Sequence, residues 1–372
     1  MHLYLHIPFC KQACHYCDFH FSTSLAKKSE MVKAICNEIS LQKDYLHDKE
    51  LSTIYFGGGT PSLLSNSDLE IIFSRITEHY TLQKGAEITL ECNPDDITIP
   101  RLQAWRSLGI NRLSIGIQSF NEAHLKFLNR AHSAEESSTC IKDAIDSGFD
   151  NLSLDLIYAI PSKSNDIWKK DLQIVHELGI AHISSYCLTI EEKTVFGKKV
   201  KKKLMEPIDD NFASDQFNIL LNEMAKNNYE QYEISNFAKV GKYAKHNTSY
   251  WQGDEYLGVG PSAHSFNKLS RQWNISNNAL YLKSIQKETV PFDSEILNDT
   301  DRANEYIMTG LRTKWGVNLN VLEEIIPLEK TPFPTQIKKF ENNGLLTSQK
   351  KQILLTNKGK LMADFIASEL FF

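Results

Sequence analysis

Residues 1–188 alternate short apolar segments with longer helix-forming segments, and this alternation limits the possible folds more than any other feature. The predicted strands are Leu3–Ile7, Thr53–Phe56, Glu87–Cys92, Arg112–Gln118, Asn151–Ile157 and His182–Leu188. The predicted helices between them are Ser29–Leu46, Ser67–His79, Ile99–Leu108, Ala134–Ser147 and Ile167–Leu178. Such alternation is typical of a parallel sheet covered by helices. A closed or partly closed β/α barrel and an open doubly wound sheet both satisfy the pattern.

The alternation ends near Leu188, and the remaining chain is more varied. A lysine run at Lys198–Lys203 precedes a predicted helix at Asp210–Asn227, and Tyr232–Phe266 is rich in glycine, asparagine and aromatics, which suggests loops around a site. The end of the chain reads as helix, strand, turn, strand and helix, a pattern typical of a winged-helix-like unit. We therefore predict an α/β protein with a first domain over residues 1–230 and a mixed C-terminal domain over residues 231–372.

Composition excludes several classes of protein. The 372 residues carry a net charge of -5, which gives no global attraction to nucleic acid. No apolar run approaches the roughly 18 residues of a membrane span, and the first residues lack the basic region of a signal peptide. The seven cysteines are an odd number, and four are scattered along the chain. They fit a reducing compartment rather than a disulfide framework, so we predict a cytoplasmic protein.

Three cysteines, Cys10, Cys14 and Cys17, follow the first predicted strand at positions i, i+4 and i+7. Thiolates bind zinc or iron-sulfur clusters. A structural zinc site needs a fourth ligand, and the nearby candidates are His6, His15 and His20. A [4Fe-4S] cluster held by three thiolates would keep one iron open for another ligand. Plain buried cysteines are the third interpretation, so the spacing favours the cluster without excluding the others.

A glycine-rich segment, "YFGGGTPS", follows the second predicted strand. Consecutive glycines let backbone approach a ligand closely, although a tight turn has the same composition. Polar residues also lie in or at the ends of the later strands: Glu91, Gln118, Asp155 and Tyr186. In a parallel barrel the active site lies at the C-terminal strand ends. Polar strand ends are common, but the series together with the cysteines predicts a site there.

The motifs in combination resemble a known superfamily. "YLHIPFCKQACHYCDF" is similar to the C-x3-C-x2-C motif of radical S-adenosylmethionine (SAM) enzymes. "GGGTP", "ECNPD", "RLSIGIQSF", "LNRAH" and "DLIYAIP" match the branch that contains oxygen-independent coproporphyrinogen III oxidase and the HemW-like heme chaperones. The resemblance covers nearly the whole chain. It implies a partial (β/α)6 radical SAM barrel and a [4Fe-4S] cluster whose open iron binds SAM for cleavage to methionine and a 5′-deoxyadenosyl radical.

The resemblance also implies individual site residues. The cluster ligands would be Cys10, Cys14 and Cys17. The SAM-binding residues would be Tyr4, Gly58, Gly59, Thr60, Glu91, Gln118, Arg130 and Asp155. Carboxylates and amides can hold ribose hydroxyls, and a guanidinium can pair with a carboxylate. Each of these residues alone could equally be a structural polar group.

Two departures argue against the oxidase. The oxidase pattern has another cysteine where this chain has Phe19, and it carries a longer segment ahead of the cluster, whereas nine residues precede Cys10 here. By contrast, "HNTSYW" matches the H-N-x-x-Y-W motif of the HemW-like group, and "GVGPSAHSF" also fits. His246, Tyr250 and Trp251 are therefore predicted to bind heme by ligation and ring packing. A structural histidine in an aromatic-rich loop is the alternative, and His264 is a second candidate ligand.

The predicted function is a heme chaperone that binds heme and transfers it to client proteins, with a [4Fe-4S] cluster that binds SAM and could cleave it. The alternatives are an oxygen-independent coproporphyrinogen III oxidase and a zinc-stabilised binding module without catalysis. The predicted partners are heme, heme-receiving clients and an electron donor, without nucleic acid. The lysine run is either a solvated loop or a peripheral contact with anionic lipid.

Overall fold

Six parallel strands in chain order form the centre of the fold. The computed structural model describes residues 1–328 and 331–372. The strands are β1 (His2–Ile7), β2 (Glu50–Gly58), β3 (Thr81–Cys92), β4 (Arg112–Gln118), β5 (Leu152–Tyr158) and β6 (His182–Cys187). Each strand pairs with the next one in sequence. A doubly wound sheet would reverse its order part-way, so this order favours the barrel. The barrel stays open because β6 pairs with a later strand instead of β1.

Helices follow the strands, as the sequence predicts. They are α1 (Lys28–Leu41), α2 (Asn66–His79), α3 (Ile99–Ser107), α4 (Glu122–Leu128), α5 (Ala134–Asp146) and α6 (Asp166–Glu177). Ser65 and Ser133 begin α2 and α5 with capping boxes, which satisfy free N–H groups of the first turn. The prediction that α1 reaches Leu46 is wrong, because the helix ends at Leu41. The carbonyl of Lys43 accepts a hydrogen bond from the Tyr80 hydroxyl rather than from a helical N–H.

The chain then extends the same sheet on both sides. The elements are α7 (Val195–Lys201), α8 (Asp210–Lys226), β7 (Glu230–Glu233), β8 (Asn236–Ala238), α9 (Lys245–Gln252), β9 (Tyr256–Val259), β10 (His264–Phe266), β11 (Ser270–Asn274), α10 (Asn278–Ile285) and β12 (Phe292–Ile296). Strand β9 lies parallel to β1, and β10, β11 and β12 continue antiparallel from it. The result is a twelve-stranded sheet.

Two local predictions for this region are wrong. Residues 232–266 hold strands and a helix as well as loops, because strands of three or four residues are too short to show a period in the sequence. The first part of the lysine run is helical, since α7 continues to Lys201 from a Thr194 cap. Its lysines are nevertheless largely exposed to solvent.

The last part of the chain has its own apolar core. Its elements are α11 (Asp299–Leu311), β13 (Val317–Asn318), α12 (Leu319–Ile325), α13 (Phe333–Asn342), β14 (Leu346–Gln349), β15 (Gln352–Leu355), α14 (Asn357–Lys360) and α15 (Ala363–Glu369). Ile307, Phe340 and Ile366 are among its buried residues. The helix–strand–strand–helix order at the end agrees with the winged-helix-like pattern. Leu257 and Val259, by contrast, lie in the core of the large sheet. A domain boundary at residue 230 stays a prediction.

None of the helices within residues 1–328 and 331–372 is both long and apolar enough to cross a bilayer.

Candidate cluster and cofactor site

The C-terminal ends of the barrel strands open on a pocket of about 670 Å³. Ten residues predicted to hold the cluster or SAM line it: Cys10, Cys14, Cys17, Gly58, Gly59, Thr60, Glu91, Gln118, Arg130 and Asp155. These residues come from five strands and the segments that follow them. The fold thus brings distant sequence motifs together at the edge where parallel barrels carry their sites.

The loop that carries the three cysteines is fixed by backbone hydrogen bonds at its base. Cys10 N donates to Ser22 O at 3.0 Å, and Thr60 N donates to Phe9 O at 2.6 Å. All seven cysteines are free thiols. Burial raises the pKa of Cys10 and Cys17 to about 11, so their thiolate forms need positive charge beside them. Iron ions supply such charge, and the donor set therefore fits an iron-sulfur cluster.

The histidines considered as zinc ligands are engaged elsewhere. His6 Nε2 lies 2.9 Å from the carbonyl oxygen of His20, and His15 Nδ1 lies 3.1 Å from that of Phe127. His20 Nε2 lies 2.8 Å from Asn278 Oδ1. Among the described residues, no group of three or more His, Cys, Asp or Glu side chains is arranged to hold a single metal ion.

Close steric contacts in the turn after β2 explain why glycines occupy it. Gly58 has φ +105°, and a Cβ atom there would lie 2.6 Å from the His6 ring. A Cβ atom on Gly59 would lie 2.5 Å from the carbonyl oxygen of Phe9. Since backbone cannot move aside cheaply, any side chain at Gly59 would push β2 away from the strand that leads into the cysteines. The contact of these glycines with SAM stays a prediction.

Two partly buried carboxyl groups face the pocket. Glu91 accepts hydrogen bonds from the Tyr55 hydroxyl at 2.8 Å and from Gly58 N at 3.1 Å. Asp155 accepts one from Ser114 Oγ at 3.2 Å. Burial raises the pKa of Glu91 to about 8 and that of Asp155 to about 6. The two groups can accept hydrogen bonds from ligand hydroxyls, and near neutral pH Glu91 can also donate one.

Arg130 connects β4 to the cysteine loop. Its Nη2 donates to Asn93 Oδ1 at 2.7 Å and to Gly116 O at 2.8 Å, and its Nη1 lies 3.4 Å from Cys14 Sγ. Its Nε is buried without a hydrogen-bond partner among the described residues. Gln118, at the end of β4, has φ +66°, an uncommon backbone conformation for a residue other than glycine. Both residues are held by the surrounding structure at the pocket.

Some pocket residues escaped the sequence analysis. Asn93, Tyr16, Ser114 and Cys187 also line the pocket. Asn93 lies inside the "ECNPD" motif, which was a signal for it. Ser114 could have been found from the period of two along β4, because it points to the same side as Gln118. Tyr16 and Cys187 gave no signal beyond their positions beside a ligand and at a strand end.

Tyr4 lies apart from the other predicted SAM residues. It lines a second, smaller cavity of about 190 Å³ inside the barrel, which shares Glu91, Ser114 and Tyr186 with the large pocket. The Tyr4 hydroxyl lies 3.2 Å from His6 Nδ1. The structure therefore puts Tyr4 behind Glu91 rather than at the large pocket, and direct contact with SAM stays a prediction.

His246 also lines the small cavity, and both nitrogens of its ring already have hydrogen-bond partners. It is 2% exposed, with Nδ1 2.5 Å from Thr53 Oγ1 and Nε2 2.8 Å from the Tyr250 hydroxyl. Burial holds its pKa well below the usual range. Trp251 packs instead beneath the Arg312 guanidinium, 5.5 Å from its ring centre. Neither nitrogen of His246 is free for iron, so the predicted heme site would require this helix to rearrange.

Comparison with known proteins gives one family. The Radical SAM superfamily model matches residues 4–174, and the HemN C-terminal domain model matches residues 297–362. The heme chaperone HemW of Lactococcus lactis subsp. lactis is 32% identical over 358 residues, covering 96% of this chain and 93% of that protein. HemW of Bacillus subtilis is 30% identical over 365 residues, covering 97% and 96%. HemW of Escherichia coli is 36% identical over 266 residues, covering 70% and 69%.

Among solved structures, coproporphyrinogen III oxidase (HemN) from Escherichia coli, a radical SAM enzyme, is similar with a TM-score of 0.85 and 21% sequence identity. The match covers 99% of this chain and 89% of that one. At this identity the likeness establishes the fold, and it confirms the predicted partial barrel with its C-terminal domain. The cysteine motif, the barrel and the relatives along the whole length agree, and the chain belongs to the HemW family within the radical SAM superfamily.

Proposed function

We propose that this protein is a heme chaperone, which binds heme and passes it to client proteins. The observation that carries the proposal is the similarity to proteins named heme chaperones over nearly the whole chain. The similarity includes the C-terminal region, since it covers 96% and 97% of this chain. Radical SAM membership gives the protein two further cofactors, a [4Fe-4S] cluster and SAM.

The pocket residues support specific roles toward those cofactors. We propose that Cys10, Cys14 and Cys17 hold three irons and leave the fourth for SAM. A reduced cluster, when bound, supplies the electron for cleavage of SAM. Arg130 fixes the cysteine loop through its contacts with Asn93 and Cys14. Glu91 and Asp155 would hold hydroxyl groups of SAM, and the pocket walls would keep water from the reacting atoms.

The oxidase remains the second candidate, because HemN shares the fold. Phe19 weakens it: this residue occupies the position of the additional cysteine in the oxidase motif and is 71% exposed beside the pocket. We propose that the protein does not convert coproporphyrinogen III. The zinc-stabilised module is not retained, because the chain belongs to the radical SAM superfamily.

The proposal also includes an electron donor and contact with a membrane, both at the surface around helix α7. Helix α7 is tied to the cysteine loop, since Phe196 N donates to His15 O at 3.0 Å and the two rings lie 5.4 Å apart. Lys198, Lys201 and Lys202 are exposed on or beside this helix. We propose that an acidic electron donor contacts this surface, which would bring it close to the cluster. Contact of the same lysines with anionic lipid, and a cytoplasmic location, stay predictions.

One preparation can test the function. The protein is reconstituted anaerobically with iron and sulfide, and heme titration and an oxidase assay are run on the same sample. We expect heme binding, transfer to a heme-free acceptor, and no protoporphyrinogen IX from coproporphyrinogen III with SAM and reductant. Absence of heme binding by cluster-replete protein would contradict the chaperone, and clear turnover would establish the oxidase.

A further inference from the structure

We propose that heme binds on the inner face of the hairpin formed by β10 and β11, with His264 as the iron ligand. This inference rests on the proposed function and names the site that carries it out. His264 lies opposite Trp273 in the antiparallel pairing of the two strands. The hairpin belongs to the extension of the sheet beyond β1, outside the cluster pocket.

The pleat of the two strands decides which residues share a face. Gln272 Nε2 donates to Gln42 Oε1 at 2.8 Å, and Asn274 Nδ2 donates to Glu38 Oε1 at 2.6 Å. These partners lie on or just after α1, so Gln272 and Asn274 point to the helix-covered outer side. Since successive side chains alternate, their neighbours point to the opposite side. The inner-face residues of the hairpin are His264, Phe266, Arg271 and Trp273.

This inner face continues the inner surface of the barrel. Tyr4 lines the inner cavity, and it lies opposite Gly258 in the parallel pairing of β1 and β9. Tyr256 is on the same face as Gly258, and Phe266 lies opposite Tyr256. The surface therefore runs from the barrel interior across β9 to His264. Tyr250 covers Tyr256 at a ring distance of 4.5 Å, and Tyr256 is only 9% exposed, so a flat ligand would lie on the outer part of this face, over His264 and Trp273, without entering the pocket.

The His264 imidazole is free, in contrast to that of His246. His264 is exposed, and among the described residues its ring makes no hydrogen bond, whereas both nitrogens of His246 are engaged. A neutral imidazole with a free nitrogen is a common ligand of heme iron. His6 and His20, which lie near the same end of β1, are both hydrogen-bonded.

The surroundings of His264 suit the rest of a heme molecule. The Trp273 ring lies 6.3 Å from the imidazole at an interplanar angle of 29°. Because a ligating imidazole stands roughly perpendicular to the porphyrin, Trp273 would contact the porphyrin with its apolar edge. Lys268 is exposed in the turn between the strands and can pair with a propionate. Arg271 is not available for this role, because it is bonded to Glu305 and to the Tyr256 hydroxyl.

The position is close to the cysteine loop yet separate from it. A Cβ atom on Gly260 would lie 2.5 Å from the carbonyl oxygen of His6, so the segment leading into β10 touches the end of β1. The cysteines begin three residues after that strand. Heme on the hairpin and SAM in the pocket would therefore be neighbours that do not compete for the same space.

The test is a heme titration of anaerobically reconstituted full-length protein, followed by Soret absorbance. We expect His264→Ala to lower heme affinity about tenfold or more and to remove the spectrum of histidine ligation, with free imidazole restoring the spectrum. Trp273→Ala should weaken binding while keeping that spectrum. The matched control is His47→Ala, which removes an exposed imidazole beside Glu255, at the other end of β9. Saturating SAM should leave heme affinity unchanged.

The outcomes separate this site from the function. Wild-type affinity and an unchanged spectrum in His264→Ala would overturn the hairpin site and leave the chaperone proposal standing. Failure of the wild-type protein to bind heme would overturn both. Equal losses in His264→Ala and His47→Ala would show that surface histidines bind heme without specificity, which also overturns the site. Competition between SAM and heme would place heme in the pocket instead.

Discussion

The cofactor pocket and the segment His246–Trp251 both carry motifs of the same family, yet the structure places their predicted ligand residues differently. In the pocket, side chains from several strands converge on one open volume. In the segment, His246 is bonded on both nitrogens, and Trp251 packs against Arg312. Unsatisfied buried atoms do not separate the two regions, because Arg130 Nε in the pocket and Trp251 Nε1 in the segment both lack a partner among the described residues. A shared open volume therefore indicates a ligand site more strongly than a motif match does.

The largest expected effect is at the cysteines. Cys10→Ala should remove essentially all iron and sulfide from anaerobically reconstituted protein, against about four of each per chain in the wild type. The matched control is Cys36→Ala, because Cys36 is buried in α1 away from the pocket. Metal and labile-sulfide analysis measures both variants. An equal loss of iron in the two would mean that the thiols contribute to folding and not to a cluster.

Replacing His246 tests whether this residue is structural. His246→Ala leaves the Tyr250 hydroxyl without its partner, removes one of two partners of the Thr53 hydroxyl, which keeps His2 Nδ1, and empties the space of a buried ring. We therefore expect it to lower the free energy of unfolding by about 2–4 kcal/mol. Urea unfolding of the apoprotein measures the change. The control His264→Ala, at an exposed position, should stay within about 0.5 kcal/mol of the wild type. If the His246→Ala protein were fully stable but no longer bound heme, His246 would be a heme-binding residue rather than a structural one.

Arg130 should matter for the cofactor more than for stability. Arg130→Ala removes the link between Cys14 and Asn93, and residues that orient metal ligands typically contribute 10–100-fold to affinity, so we expect a loss of about that size in SAM binding. The change that SAM causes in the electron paramagnetic resonance spectrum of the reduced cluster measures it. Arg106→Ala, on the exposed surface of α3, is the control. Undiminished SAM affinity at full iron content would remove Arg130 from the site.

A further effect, spread over three pH units, concerns the proton on Glu91. Burial raises the pKa of this group from 4.5 to about 8, so between these values the folded protein holds a proton that the unfolded chain has lost. This group therefore lowers stability as pH rises, by up to about 1.4 kcal/mol per pH unit. Glu91→Gln cannot lose the proton. Urea unfolding of the apoprotein measures the free energy of unfolding of Glu91→Gln minus that of the wild type, and we expect this difference to rise between pH 5 and 8. A difference that does not change with pH would show that Glu91 is ionised throughout this range.

Sequence patterns predicted the barrel well, because its six central strands are largely buried and alternate regularly with helix-forming segments. Ten of the residues predicted to hold the cluster or SAM share one pocket, and each lies at a strand end or in a quoted motif. The short strands β7–β12 were missed, since three to five residues show no period. The burial of His246 could not be foreseen either, because Thr53 comes from a strand almost 200 residues earlier.

The pairing of β1 with β9 has a consequence during synthesis. Strand β2, one neighbour of β1, is complete at Gly58, whereas β9 ends at Val259. At about 5–20 residues per second, a ribosome needs roughly 10–40 s to make the intervening chain. Throughout that interval one edge of β1 lacks its partner, and the cysteine loop that follows this strand lies next to an unfinished sheet. Until β9 is made, the strand that leads into the cysteine loop is therefore held by only one of its two neighbours.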